Sequence, residues 1–127
     1  MTIMVVDDSR IMRNTVKGVF SGLNIPCSYV EASDGEEALT LLETEQIDLI
    51  LLDWNMPKLS GIDFLKTVRA DTRFNNLPII MVTSETAKFS VIEALKNGAT
   101  DYVTKPINLE LFKEKIARLP LFKDVGV

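Results

Sequence analysis

The sequence predicts one α/β domain built on a parallel sheet with helices on both faces. Three observations carry this. Short apolar runs alternate with stretches whose apolar residues recur at helical spacing. The run from Ile47 to Leu52 is apolar except for Asp48, too continuous for a strand with one wet face, and suits a central strand covered on both sides. Each apolar run also breaks off at polar residues, as buried strands do where they reach the edge of a sheet.

Residues 2 to 6 (Thr-Ile-Met-Val-Val) form the first strand, which stops at Asp7 and Asp8. Ser9 is placed to cap a helix carrying Met12, Val16, Val19, Phe20 and Leu23, stopped by Gly22 and Pro26. Cys27 to Glu31 reads as the second strand. Ser33 followed by Glu36 is a capping-box pattern, and Ala38, Leu39, Leu41 and Leu42 give the next helix its apolar side. The third strand is the Ile47 to Leu52 run, ending in Asp53. Asn55, Pro57 and Gly61 then impose an ordered loop before a helix capped by Ser60 and carrying Phe64, Leu65 and Val68. After a polar connection through Asn75, Asn76 and Pro78, Ile79 to Val82 is the fourth strand, ending at Thr83 and Ser84. Val91, Ile92 and Leu95 mark a fourth helix closed by Lys96, Asn97 and Gly98. Thr100 to Thr104 is the fifth strand. Asn108 caps a last helix with Leu109, Phe112, Ile116 and Leu119 on one side, before Pro120.

Strands alternating with helices wind by right-handed crossovers. Of the doubly wound strand orders in general use, five strands suit the flavodoxin-like order 2-1-3-4-5, a topology taken over from that repertoire and not read from the residues. Its consequence is geometric. If all strands run the same way, Asp7, Asp8, Asp53, Thr83 and Lys105 share the C-terminal edge of the sheet, where such folds bind ligands.

Composition narrows the chemistry available at that edge. With 127 residues, 46% of them hydrophobic, the chain has the size and apolar content of one domain spanning residues 1–127. Its net charge of -4 and pI near 4.8 argue against a general nucleic-acid surface. No apolar run is long enough to span a bilayer and no charged leader precedes one, so a cytoplasmic protein with no membrane partner is expected. The lone Cys27 allows no intrachain disulfide and is given no role. The chain has no histidine, which removes His-based acid–base chemistry, triads and most zinc sites. Carboxylates, hydroxyls and lysines remain. Three carboxylates roughly 5 Å apart repel by a few kcal/mol per pair at an effective dielectric of about 20, so an acidic edge of this kind recruits a cation. Oxygen-only ligands point to Mg²⁺.

Asp7-Asp8 after the first strand, Asp53 with Pro57 and Gly61 behind it, Thr83 after the fourth strand and Lys105-Pro106 after the fifth together resemble the receiver domain of two-component response regulators, over the whole length of the chain. The resemblance implies that Asp8, Asp53 and the backbone carbonyl of Asn55 ligate Mg²⁺, with Asp7 acting through a water. It implies that Asp53 accepts a phosphoryl group from a phosphohistidine on a sensor histidine kinase or phosphotransfer protein, while Lys105 and Thr83 bind the phosphoryl oxygens. Such a chain is a phosphoacceptor that promotes its own phosphorylation and dephosphorylation, and not a conventional enzyme. Thr83 and Tyr102 match the family's switch pair, and Lys105-Pro106 matches a peptide bond that is cis in the family, with Pro106 fixing the lysine. Asn55 and Glu85 stand where the family tunes the lifetime of the acyl phosphate.

Asp-Trp-Asn-Met-Pro at 53 to 57, with Tyr102, Lys105 and Lys115, is similar to the single-domain chemotaxis branch of that family. This implies a downstream protein target such as a flagellar motor switch component, bound on a face containing Lys88, Phe89, Tyr102 and Lys115. Two departures bear on output: Ile107 follows Lys105-Pro106 where the family most often has Phe, and Ser84 replaces a small apolar residue. The alternative is a receiver domain cut from a longer regulator with a transcriptional or enzymatic effector. An aspartate-nucleophile phosphatase is disfavoured because Asn55 stands where a D-x-D motif needs its second acid. A flavodoxin-like flavin binder is disfavoured because the first strand ends in acids where a phosphate needs N–H donors.

Overall fold

The computed structural model describes residues 1–122 and contains one five-stranded parallel sheet. The strands are β1 (Thr2–Val6), β2 (Ser28–Ala32), β3 (Leu49–Leu52), β4 (Ile79–Thr83) and β5 (Asp101–Thr104). They alternate with α1 (Arg10–Ser21), α2 (Gly35–Thr44), α3 (Gly61–Arg69), α4 (Lys88–Lys96) and α5 (Leu109–Ala117). The strand order is β2-β1-β3-β4-β5, so the fold is the flavodoxin-like one expected from the sequence.

The two-residue period of the strands divides the core. Met4, Val6, Ile50, Leu52, Ile79 and Met81 face α2, α3 and α4, which contribute Ala38, Leu42, Phe64, Leu65, Val68 and Ala94. Ile3, Val5, Leu49, Leu51, Ile80 and Val82 face α1 and α5, where Phe20, Phe112 and Phe122 pack as an aromatic cluster. β3, buried at every position, is the central strand its composition required.

Several boundaries differ from the sequence expectation for identifiable reasons. Asp34, and not Ser33, caps α2: its carboxylate accepts the Glu37 N–H at 2.8 Å, while the Ser33 N–H donates to Glu37 Oε1 at 2.9 Å. β2 runs one residue further, to Ala32, whose carbonyl accepts the Asp7 N–H, and this moves the cap along. β3 starts at Leu49; just before it, Asp48 meets Thr2 twice, its carboxylate accepting the Thr2 N–H at 2.7 Å and its N–H donating to the Thr2 carbonyl at 2.8 Å. Short 3₁₀ turns at Thr72–Phe74 and Pro120–Phe122 were not foreseen.

The apolar residues that mark α4 in the sequence are not the ones it buries most fully. Ile92 and Leu95 are 45% and 46% exposed, and the residues buried on this helix are Ser90 and Ala94. Ala94 belongs to the same core cluster as Tyr102, and the partly buried Val91 packs against that cluster. On α5, Leu109 is likewise exposed at the first turn, whereas Phe112 and Ile116 are buried as expected.

Candidate functional site

At the C-terminal edge of the sheet, main-chain hydrogen bonds fix the three loops that carry charge. The Asp53 N–H donates to the Val6 carbonyl at 2.9 Å, the Asp7 N–H to Ala32 at 3.0 Å, and the Lys105 N–H to Thr83 at 2.9 Å. These bonds continue the sheet ladders by one residue, so the chain needs no special loop sequence to bring Asp7, Asp53, Thr83 and Lys105 together. The loop after β3 then turns on Gly61. A Cβ there would lie 2.0 Å from the Asp53 carbonyl oxygen, so only glycine lets the start of α3 pass behind the aspartate.

Asp7, Asp8 and Asp53 each offer a carboxylate oxygen within 4.8 Å of the others. Asp7 and Asp53 are buried and Asp8 is exposed. Lys105 Nζ lies 2.7 Å from Asp7 Oδ2 and 3.6 Å from Asp53 Oδ2. One ammonium against three carboxylates leaves a net negative, all-oxygen pocket with an open side at Asp8. That donor set suits a hard divalent cation, and the group could hold a metal ion.

Burial pushes the Asp53 carboxyl above the usual carboxylate range. The Thr83 hydroxyl and the Lys105 charge oppose this, Asp7 adds to the push, and the Trp54 N–H, which donates to Asp53 Oδ1 at 2.8 Å, opposes it. A bound cation would act in the same direction as Lys105.

Thr83 is fully buried, and its Oγ1 accepts the Glu85 N–H at 3.2 Å. Glu85 Oε1 in turn accepts the Ala87 N–H at 3.2 Å, and the Glu85 carbonyl accepts the Tyr102 hydroxyl at 2.7 Å. Tyr102 is only 5% exposed, and burial, followed by the charges of Glu85 and Asp53, pushes its phenol up to about 12. A chain of contacts thus leads from the acidic pocket through Thr83 and Glu85 to Tyr102. The Lys105-Pro106 peptide bond is cis.

The remaining residues named from the sequence differ in exposure. Asn55 is exposed in the loop beyond Asp53. Of the four residues assigned to a partner face, Lys88 and Phe89 are exposed, with Phe89 73% accessible. Tyr102 is buried, and Lys115 is drawn inward by hydrogen bonds to Asp101 Oδ1 and to the Tyr102 carbonyl. The sequence reading passed over Asp101, whose carboxylate gives Lys115 a closer partner than solvent. It also passed over Arg13, whose Nη1 donates to the Asp7 carbonyl at 2.6 Å. A lone arginine on the first turns of α1 carries no sequence signal that separates it from a solvated one.

Fold and pocket together define a doubly wound α/β domain with an acidic, cation-competent edge, and comparison with known proteins identifies the family. Residues 3–117 match the response regulator receiver domain, and the chain belongs to that family. It is 41% identical over 119 residues to the chemotaxis protein CheY of Pseudomonas aeruginosa, covering 94% of this chain and 95% of that protein. It is 44% identical over 117 residues to CheY1 of Helicobacter pylori, covering 91% and 94%. Among solved structures, the Vibrio cholerae chemotaxis protein CheY4 superposes with a TM-score of 0.81 at 32% identity, covering 93% of this chain and 97% of that one. The chain is therefore a CheY-like receiver domain, a signalling switch and not a conventional enzyme. Among the described residues, no helix is long and apolar enough to cross a membrane.

Proposed function

We propose that this chain, acting as one receiver unit, is a phosphorylation-activated switch of the chemotaxis type in which Asp53 is the phosphoacceptor. The observation that carries the reading is Asp53 itself: a buried carboxylate at the tip of the central strand, with an ammonium 3.6 Å away, two further carboxylates beside it and a buried hydroxyl on the neighbouring strand. Asp8, Asp53 and the Asn55 carbonyl would hold Mg²⁺, with Asp7 acting through a water. When bound, the ion supplies positive charge against the oxygens of the incoming phosphoryl group.

In the transfer, an Asp53 carboxylate oxygen attacks the phosphorus of a phosphohistidine on a histidine kinase or phosphotransfer protein. The new O–P bond forms as the N–P bond breaks, and the electron pair leaves with the imidazole. Lys105 moves from Asp7 toward the phosphoryl oxygens, a short step given that its Nζ already lies between the two aspartates. With no histidine in the chain, the donor is another molecule.

Thr83 donates its hydroxyl hydrogen to a phosphoryl oxygen while its lone pairs still accept the Glu85 N–H. Drawing Thr83 toward Asp53 therefore draws Glu85 with it, and Glu85 holds Tyr102 through its carbonyl. This couples phosphorylation to the segment leading into α4, and through it to a downstream target such as a flagellar motor component. Glu85 and Asn55, two residues past Thr83 and Asp53, would influence how readily water reaches the acyl phosphate.

The test uses acetyl phosphate with Mg²⁺. The wild-type chain should gain one phosphoryl adduct by intact mass, with a change in emission from Trp54, the only tryptophan. The Asp53→Asn variant should gain none. An undiminished adduct in that variant would place the acceptor elsewhere.

A further inference from the structure

The carboxylates of the acidic pocket are not held alike. Asp7 is gripped at both oxygens, by the Ser9 N–H at 2.9 Å and by Lys105 at 2.7 Å, and Asp53 accepts the Trp54 N–H. Among the described residues, no protein donor reaches the Asp8 carboxylate, although Asp8 is the acid through which the pocket opens to solvent. Its direction is therefore set by the peptides on either side. The one after it is held by the Ser9 N–H on Asp7, within the pocket itself. The one before it is held from outside: Arg13 Nη1 donates to the Asp7 carbonyl at 2.6 Å.

The rest of the guanidinium is braced. Arg13 Nε donates to Glu31 Oε1 at 3.0 Å, and the second oxygen of Glu31 accepts Lys17 Nζ at 3.0 Å. Only 15% of the Arg13 side chain is exposed, so the fork sits against protein and not in bulk water. Glu31 stands on β2 opposite Val5 of β1, and the next residue, Ala32, accepts the Asp7 N–H. Both main-chain polar groups of Asp7 are thus tied to the same stretch of β2, one directly and one through Arg13. A planar guanidinium can bridge two acceptors at fixed spacing, which a lysine cannot.

We propose that Arg13, braced by Glu31, is a positioning residue for the cation site: it fixes the peptide between Asp7 and Asp8 and so aims the Asp8 carboxylate toward Asp53. This rests on the reading of the acidic pocket as a Mg²⁺ site. It makes a prediction opposite in sign to simple electrostatics. Removing a positive charge near a cation site should tighten cation binding, whereas removing the residue that orients a ligand should weaken it, by roughly tenfold or more for a lost outer partner.

The experiment is a Mg²⁺ titration of the full chain, read by Trp54 emission and by calorimetry, without phosphodonor. Arg13→Ala should weaken Mg²⁺ binding about tenfold. Lys17→Ala removes an equal charge from the same Glu31 cluster without touching the Asp7 carbonyl, and should leave affinity unchanged or slightly raised. Arg13→Lys keeps the charge but cannot span the carbonyl and Glu31 together, so it should fall between wild type and the alanine variant. Equal or tighter binding by Arg13→Ala overturns the proposal, as does wild-type affinity in Arg13→Lys, which decides the matter alone if the alanine variant does not fold. A wild-type chain that binds no Mg²⁺ would instead overturn the metal-site reading on which the proposal stands.

Discussion

Around Asp53 the backbone has little freedom: its N–H is bonded to Val6, its carboxylate to the Trp54 N–H, and its carbonyl lies against Gly61. A few residues away, on the far side of Thr83, α4 begins at Ala87 with no side-chain cap, rests on the sheet through Ser90 and Ala94, and leaves Phe89, Ile92 and Leu95 in solvent. On the proposed function, the contrast separates chemistry from response. Phosphoryl transfer at Asp53 would need acids and ammonium held to a fraction of an ångström, and that end is built from strand tips and ladder hydrogen bonds. A switch needs an element whose displacement costs little, and a helix with an uncapped start and a thinly buried face meets that need. Thr83 joins the two, buried on the rigid side and bonded through Glu85 to the loose one.

The largest effect that would test the contrast is at the rigid end. Gly61→Ala places a Cβ 2.0 Å from the Asp53 carbonyl oxygen, where neither backbone can yield without breaking the bond from the Gly61 N–H to Trp54. We expect a loss of about 3 kcal/mol, read as a lowered urea midpoint at unchanged slope. A loss under about 1 kcal/mol would mean that the loop after β3 adjusts easily, and the two regions would no longer differ in stiffness.

A smaller effect comes from the charge that this rigidity keeps out of water. The Asp53 carboxyl titrates above its ordinary range in the folded chain, chiefly through burial, so the folded state holds that proton more tightly than the unfolded state does. The stability this contributes is complete below the ordinary carboxylate range and is lost as pH rises through the folded value. At neutral pH without Mg²⁺, Asp53→Asn should therefore melt at a higher temperature than wild type, and the difference should close as the pH is lowered. Adding Mg²⁺ should stabilise the wild type more than the variant, since only the wild type keeps the full ligand set. A variant less stable than wild type at neutral pH without the ion would show that Asp53 is better satisfied than its burial implies.

The sequence made the rigid end legible because its evidence is periodic and its ends are abrupt. Apolar strands that stop at Asp7, Asp53, Thr83 and Lys105 place those residues at one edge once the sheet is parallel, and the strand order brings them within reach. Cap positions slid where two acceptors compete, as with Ser33 and Asp34. The contacts of Arg13 and Lys115 were illegible for another reason: both look like solvated cations, and only packing shows that the Asp7 carbonyl, Asp101 and the Tyr102 carbonyl lie within their reach. On α4, the helical spacing of Val91, Ile92 and Leu95 marks the helix but not the side it buries, and the residues it buries are the small Ser90 and Ala94.

The exposure of Ile92 and Leu95 supplies the smallest and most discriminating prediction. A leucine packed like Leu65, fully buried on α3, would cost about 2–5 kcal/mol on truncation to alanine. Ile92 and Leu95 are nearly half exposed, so Ile92→Ser and Leu95→Ser should each change stability by no more than about 0.5 kcal/mol. If these residues serve as surface, both variants should accept phosphate from acetyl phosphate as wild type does and lose affinity only for the protein that the phosphorylated chain binds. A stability loss of core size would mean that α4 is clamped to the sheet by these side chains and is as firmly held as the loop around Asp53. Retained stability with retained partner binding would leave α4 loosely held but move the output surface to another face.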